Sequence, residues 1–198
     1  MKTSQKIYLP FKRLISIVGS LVGIILCFVL LWWWVIIINA ISTGGHPFFV
    51  HKRIGRYDKP FNLIKFRSMR LDVSENMSSE NANIDDSATK FGKFLRATSI
   101  DETPQLLNIF IGDMAFIGPR PLCENEFDHV TIELRKQNGA DKIRPGLSGY
   151  AQIHGRTEVS PYDKGVMDGV YYQKFSFFFD TKIFIYTVLK IFGAVKGR

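Results

Sequence analysis

A stretch that starts at Ser99 and ends in a Pro-Arg-Pro corner contains two adjacent carboxylates, Asp101 and Glu102. Thr103 followed by Pro104 is typical of a helix start, because a proline at the first helical position lacks only an N–H that has no intrahelical partner there. A capping box formed by Ser99 and Glu102 is the alternative start. Either start puts both carboxylates at the positive end of the helix dipole, which favours ionised carboxylates and bound phosphate.

Carboxylates that lie among arginines and lysines are suited to phosphate chemistry. The sequence contains no serine or cysteine triad motif, no zinc-ligand spacing and no Walker loop. A carboxylate pair holds Mg²⁺ through one or two oxygens, while the metal keeps waters and substrate phosphate oxygens. An ionised aspartate is also a covalent nucleophile. Because adjacent Asp-Glu pairs also cap helices, the dyad by itself leaves catalysis and capping both open.

Two basic residues, Lys65 and Arg67, follow one another with strand spacing. The β-rich runs Phe48–Lys52 and Phe61–Phe66 are joined by glycine, aspartate and proline, which predicts a small β-hairpin. Side chains alternate along a strand, so Lys65 and Arg67 are expected on one face, where they could bind phosphate. Alternatively, the two charges keep an exposed strand edge from pairing with another chain, and this explains the same pattern equally well.

The composition favours one compact domain with a membrane element. The chain has 198 residues, 46% of them hydrophobic, and a net charge of +8. This charge suits an anionic lipid surface, a phosphorylated substrate or nucleic acid, and nucleic acid ranks last because the aromatic residues do not lie among the basic ones. Cys27 and Cys123 are far apart and form no metal or disulfide motif, which indicates a reducing, cytosol-facing domain.

The run Leu14–Ile38 contains no charged residue and predicts a membrane helix. About 25 residues of helix reach about 37 Å, more than the ~30 Å hydrocarbon core. Basic residues both precede and follow the run, so the positive-inside rule draws both ends to the cytoplasm. We therefore expect a re-entrant helix, with an ordinary spanning anchor as the alternative. The predicted domains are a basic N-terminus and membrane helix over 1–42 and a cytosolic, membrane-associated catalytic domain over 43–198.

The run Phe175–Phe192 is also apolar, but Asp180, Lys182 and Lys190 make burial across a bilayer expensive. An amphipathic helix at the membrane interface is one interpretation, and a core helix of the domain is the other. Together these patterns predict an α+β, mainly helical fold. It combines the membrane helix, a compact cytosolic domain with a small β-hairpin, and interfacial amphipathic helices.

Four motifs in this order resemble the bacterial sugar transferases, in particular the small monotopic phosphoglycosyl transferases. They are Lys-Phe-Arg-Ser-Met, Ser-Ile-Asp-Glu-Thr-Pro-Gln-Leu-Leu-Asn, Gly-Asp-Met-Ala-Phe-Ile-Gly-Pro-Arg-Pro and Arg-Pro-Gly-Leu-Ser-Gly-Tyr-Ala-Gln-Ile-His-Gly-Arg. The resemblance runs from about Lys12 to Lys190. It implies transfer of a sugar 1-phosphate from a UDP-sugar to polyprenyl phosphate, expected to be undecaprenyl phosphate, with release of UMP. The implied location is the cytoplasmic face of the bacterial inner membrane, at the first membrane step of a glycoconjugate pathway.

The resemblance also implies residue roles. Asp101 would attack the β-phosphate to form a covalent phosphosugar-aspartyl intermediate, and Glu102 would assist metal binding or proton removal. Both would bind Mg²⁺, and Arg120 would bind phosphate. Asp168 resembles a family aspartate that orients an arginine. The other candidates for substrate binding are Lys65, Arg67, Arg96, Arg144, Gln152 and Arg156.

The membrane helix departs from the family pattern. The family's helix is re-entrant and is broken by a Ser-Pro pair, whereas this chain has no proline between Phe11 and Ala40. The aligned position falls near Phe28, and Ser16 stands where an aspartate is usual. The expected partners are a UDP-sugar, polyprenyl phosphate and membrane lipids, without nucleic acid. The rival interpretation is a non-catalytic, membrane-anchored protein that binds acidic lipids or nucleotides through its basic loops.

Overall fold

The computed structural model describes residues 1–71, 87–123, 126–155 and 159–191. The chain folds into two compact units. The first unit contains Met1–Gly19, Lys52–Asn62 and Asn108–Arg198, and the second contains Ser20–His51 and Leu63–Leu107. Each unit has its own group of buried side chains.

The N-terminal helical region, Thr3–Ser42, is 40 residues long and is apolar enough to cross a membrane by length and composition. It consists of α1 (Thr3–Cys27), a π-helical segment (Phe28–Trp32) and α2 (Trp33–Ser42). A long helical region is therefore present where the sequence predicts one, and it extends beyond the uncharged run at both ends. A π-helical segment is a recognised site of helix irregularity.

The predicted β-hairpin is confirmed in strands β1 (Phe48–Ile54) and β2 (Pro60–Phe66), which form a two-stranded antiparallel sheet. Tyr57 and Asp58 turn the chain between the strands with φ angles of 56°. Left-handed backbone at two successive residues matches the twist of a tight connection.

The second unit places helix α3 (Lys90–Ala97) directly before the carboxylate dyad. Thr89 caps α3, because its hydroxyl accepts the N–H of Gly92 at 2.8 Å. A cluster of buried apolar side chains in this unit comes from the N-terminal helical region, β2 and α3, and contains Trp32, Val35, Phe66 and Leu95. Helix α4 (Gln105–Ile111) follows the dyad.

The first unit contains a second, parallel sheet of β3 (Ala115–Ile117) and β4 (Gly146–Ser148). The proline and glycines around β4 are typical of an irregular loop, but the structure places a short strand there. A strand of three residues is too short to show periodicity, and the pairing depends on close backbone contact at glycine. A Cβ atom on Gly146 would lie 2.1 Å from the backbone nitrogen of Gly118.

Helices α5 (Glu126–Asn138), α6 (Tyr150–His154), α7 (Pro161–Lys174) and α8 (Phe177–Ile191) complete the first unit. One cluster of its buried apolar side chains comes from β3, the segment before β4, α7, the α7–α8 junction and α8, and contains Ile117, Ile143, Tyr171, Phe175 and Ile183.

Helix α8 shows features of both interpretations that the sequence left open. Ile183 is fully buried in the first unit, as in a core helix, whereas Phe178 on the same helix is 83% exposed. Interfacial placement of α8 stays a prediction.

Candidate active site

The carboxylates Asp101 and Glu102 lie in the second unit, in a 3-10 turn over Ile100–Glu102. The turn is entered through Ser99 in the left-handed conformation, with φ of 57°. Asp101 is buried, with 9% of its surface exposed, and Glu102 is partly buried. Because α4 begins only at Gln105, the dyad lies just before the helix and not inside its first turn.

Thr103 closes the dyad turn in a way that the sequence did not predict. Its hydroxyl donates to the carbonyl of Ile100 at 2.8 Å and accepts the indole N–H of Trp32 at 3.0 Å. Tryptophan rings are common at membrane interfaces, but only 8% of Trp32 is exposed. A buried tryptophan needs a hydrogen-bond acceptor for its indole N–H. The bond from Trp32 to Thr103 therefore connects the N-terminal helical region to the dyad turn.

Lys65, on strand β2, lies beside Glu102. Its Nζ atom lies 3.2 Å from Oε1 of Glu102, and both side chains are largely buried. The positive charge of Lys65 thus offsets the negative charge of Glu102. Asp101 directly precedes Glu102 in the chain. A positive charge beside two carboxylates suits a site that receives a diphosphate.

Arg67 and Arg96 belong to the same unit as the dyad but have other described contacts. Arg67 lies one residue past the end of β2, and its guanidinium stands 5.3 Å from the ring centre of Phe49. The carbonyl of Arg96 accepts the N–H of Ser99 at 3.2 Å, so the backbone of Arg96 helps to form the turn that leads into the dyad. Substrate binding by either guanidinium stays a prediction.

Arg120 lies in the first unit, where a buried ion pair holds its backbone. Arg135 donates from Nη2 to the carbonyl of Arg120 at 2.9 Å and from Nε to Oδ2 of Asp168 at 2.8 Å. Arg135 is 8% exposed and Asp168 1%. Burial raises the pKa of Asp168, and the charge of Arg135 opposes that rise. In this structure Asp168 therefore orients Arg135, a residue that the sequence analysis missed because the contact joins positions far apart in the chain.

Arg144 and Arg13 bind carbonyl groups at the C-terminal end of α4. Nε of Arg144 donates to the carbonyl of Gly112 at 2.7 Å. The two terminal nitrogens of Arg13 donate to the carbonyls of Ile109 and Phe110 at 2.6 and 2.7 Å. Cations at the negative end of a helix satisfy carbonyls that have no intrahelical partner, so both arginines stabilise this end of α4.

Gln152 lies in α6, where its Nε2 atom donates to the carbonyl of Leu147 at 3.2 Å. Its Oε1 atom is buried and has no hydrogen-bond partner among the described residues. Arg156, another predicted substrate-binding residue, lies outside the described residues. Among the predicted binding residues, Lys65 contacts the dyad through its side chain.

The donor set of Asp101 and Glu102 fits Mg²⁺, which binds carboxylate oxygens and keeps waters and phosphate oxygens in its remaining positions. The described residues contain no group of three or more histidines, cysteines and carboxylates that could hold a metal alone. A site of this kind would complete the metal's shell with substrate phosphate.

Comparison with known proteins identifies the relatives of this chain. A sequence profile for the family described as bacterial sugar transferase matches residues 7–194. The chain is 36% identical over 182 residues to the uncharacterized sugar transferase EpsL of Bacillus subtilis (strain 168). This match covers 91% of this chain and 86% of the relative. It is 32% identical over 196 residues to the exopolysaccharide production protein ExoY of Rhizobium meliloti (strain 1021), covering 89% of this chain and 83% of the relative.

A longer relative shares the same region. The UDP-glucose:undecaprenyl-phosphate glucose-1-phosphate transferase of Escherichia coli (strain K12) is 37% identical over 162 residues. That match covers 77% of this chain and 34% of the relative. The chain therefore spans about a third of this relative's length.

Proposed function

Because the chain belongs to the bacterial sugar transferase family, we propose that it transfers a sugar 1-phosphate from a UDP-sugar to undecaprenyl phosphate and releases UMP. The name of the E. coli relative contains both substrates and supports this assignment. The observation that carries the proposal is the buried Asp101 beside the Glu102–Lys65 ion pair. The reaction belongs at the cytoplasmic face of the inner membrane, where UDP-sugars are available.

The proposed reaction proceeds in two displacements at one phosphorus atom. In the first, a carboxylate oxygen of Asp101 bonds to the β-phosphorus of the UDP-sugar, and the bond from that phosphorus to the bridging oxygen breaks. UMP leaves with that oxygen and its electron pair. In the second, a phosphate oxygen of the lipid attacks the same phosphorus and the bond to Asp101 breaks. The product is a polyprenyl diphosphate sugar, and the carboxylate is restored.

The neighbouring residues support these steps. Asp101 and Glu102 would hold Mg²⁺, which when bound neutralises charge on the diphosphate. Glu102 would also serve in proton removal from the lipid phosphate, and Lys65 lies 3.2 Å from Glu102, close enough to balance the dyad when that proton moves. Phosphate binding by Arg120 rests on the sequence resemblance.

The two-step reaction makes a direct prediction for the protein without lipid acceptor. Purified enzyme given a UDP-sugar labelled at the β-phosphate should release up to about one equivalent of UMP per active site and retain the label covalently after denaturation, because the first displacement needs no acceptor. Direct transfer between two bound substrates predicts no UMP until lipid is added, and that result would contradict the intermediate. Running the assay over a panel of UDP-sugars also identifies the sugar.

We further propose that the N-terminal helical region enters one leaflet of the membrane and does not cross it. Lys12 contacts Asp180 in the first unit, and Gly19 faces the ring of Phe116 there. Protein contacts therefore begin near the start of the helix.

The second unit continues this pattern. A Cβ atom on Gly23 would lie 3.1 Å from Leu106, and Trp32 hydrogen-bonds to Thr103. Among the described residues, successive contacts of the helical region are fewer than about 20 residues apart, which is the length that a bilayer crossing needs. The π-helical segment at Phe28–Trp32 supplies an irregularity in place of proline.

Accessibility of the N-terminus tests the membrane arrangement. A protease-sensitive tag before Met1 should be protected in intact cells with a permeable outer membrane, and it should be cleaved after the inner membrane is opened, because the re-entrant arrangement keeps both helix ends in the cytoplasm. A matched tag at the Gly45 turn after α2 should behave in the same way. Cleavage of the N-terminal tag in intact cells would show a spanning helix.

A further inference from the structure

A cleft of about 400 Å³, its open mouth included, lies in the first unit and is lined by basic side chains from several parts of the chain. Its basic lining residues are Lys12, Arg13, Arg56, Lys142 and Arg144. No carboxylate occurs among the described residues that line it. The cleft therefore concentrates positive charge in one place.

Lys12 and Arg13 are already engaged in the fold. Nζ of Lys12 lies 2.6 Å from Oδ2 of Asp180, so its charge is balanced by a carboxylate. The terminal nitrogens of Arg13 donate to the carbonyls of Ile109 and Phe110, which are dipoles and carry no net charge. The charge of Arg13 is thus hydrogen-bonded but not neutralised.

Arg56, Lys142 and Arg144 add further positive charge to the cleft. Nε of Arg56 donates to the carbonyl of Lys142 at 2.8 Å, and Nε of Arg144 donates to that of Gly112 at 2.7 Å. In the part of the chain that the structure describes, none of these three side chains forms an ion pair. The structure thus fixes cations around one cleft through neutral carbonyls.

The electrostatic consequence is visible at Arg144. Burial lowers its pKa, and the nearby positive charges of Arg13 and Arg56 lower it further, against an opposing effect of Asp113. Like charges held this closely repel one another, and an anion in the cleft would offset the repulsion. Guanidinium groups and a lysine together match the charge and the several acceptor oxygens of a phosphate group.

We infer that this cleft binds a phosphate group, and that the group belongs to an anionic phospholipid of the membrane surface. The cleft is lined in part by the first turns of α1, through Lys12 and Arg13. Leu14 and Ile15, which follow directly, are exposed and apolar. A basic cleft beside exposed apolar side chains suits a headgroup whose acyl chains lie along the helix. This inference does not depend on the proposed transfer reaction.

Binding is tested on the full chain in an uncharged detergent. Short-chain phosphatidylglycerol should raise the midpoint of thermal unfolding in a saturable manner, because a ligand of the folded state stabilises it, whereas phosphatidylcholine with the same acyl chains should not. The same unfolding midpoint is measured separately with inorganic phosphate at constant ionic strength. Saturable stabilisation by inorganic phosphate but not by the lipid would keep the phosphate site and assign it to a free anion.

The matched variants Lys142→Glu and Lys59→Glu locate the effect. Both lysines are exposed residues of the first unit, and only Lys142 lines the cleft. Lys142→Glu should weaken binding at least about fivefold, on the scale of one basic residue at an anionic surface, while Lys59→Glu should leave it unchanged. Equal effects of the two variants, or equal stabilisation by both lipids, would overturn the inference. UMP release by Lys142→Glu, measured separately, should remain, so failure of this site is distinguishable from failure of the transferase assignment.

Discussion

Replacing Asp101 by asparagine should abolish sugar-phosphate transfer, with turnover falling by about 10⁴-fold or more, as expected when a covalent nucleophile is removed. Asparagine keeps the size of the side chain, so the buried site at Asp101 can be filled without a cavity. Its amide nitrogen and oxygen are poor nucleophiles, and the first displacement should not occur. UMP release and covalent labelling from the β-labelled UDP-sugar should both disappear.

Asp113→Asn is the matched control, because it makes the same chemical change at an aspartate that lies after α4. Oδ2 of Asp113 accepts a hydrogen bond from Asn108 at 3.3 Å and lies outside the dyad turn. This variant should keep turnover within a few-fold of the parent. Turnover by Asp101→Asn that equals that of the control would contradict the assignment. The same result would favour a non-catalytic protein that binds acidic ligands.

Local patterns in the sequence were enough to find the elements that carry the dyad. The uncharged run predicted the N-terminal helix, and alternating residues predicted the hairpin that delivers Lys65 to Glu102. Helix α3 also follows local signals, because Thr89 is a capping residue and apolar residues with helical spacing follow it. These features succeed because capping, alternation and hydropathy depend on residues that are close in the chain.

The missed parts of the site depend on contacts between distant residues. The hydrogen bond from Trp32 to Thr103 joins positions 71 residues apart, and the bond from Arg135 to Asp168 joins positions 33 apart. Neither pairing leaves a local pattern, because each residue alone suits an ordinary helix or loop. The π-helical segment is similar, since Phe28–Trp32 is as apolar as its neighbours. Tertiary packing decides which of these side chains is buried and therefore which needs a polar partner.

Removing Arg135 should be among the most destabilising changes in the first unit. Arg135→Met keeps much of the side-chain volume but leaves Asp168, 1% exposed, without its cation, and removes a donor from the carbonyl of Arg120. Breaking a buried pair from one side typically lowers the free energy of unfolding by about 3–5 kcal/mol. Thermal and denaturant unfolding of the purified variant in uncharged detergent measure this loss.

The pH dependence of that loss separates a stranded charge from a simple packing defect. Burial already raises the pKa of Asp168 against the opposing charge of Arg135, so loss of Arg135 should raise it further. A carboxyl whose pKa is higher in the folded state binds protons preferentially there, so the deficit of Arg135→Met should shrink as the pH falls through that pKa. Adding Asp168→Asn should recover part of the stability at neutral pH, because no buried charge then remains. A deficit that is independent of pH and additive in the double variant would mean that Arg135 acts through packing and its bond to Arg120, and that its pairing with Asp168 contributes little.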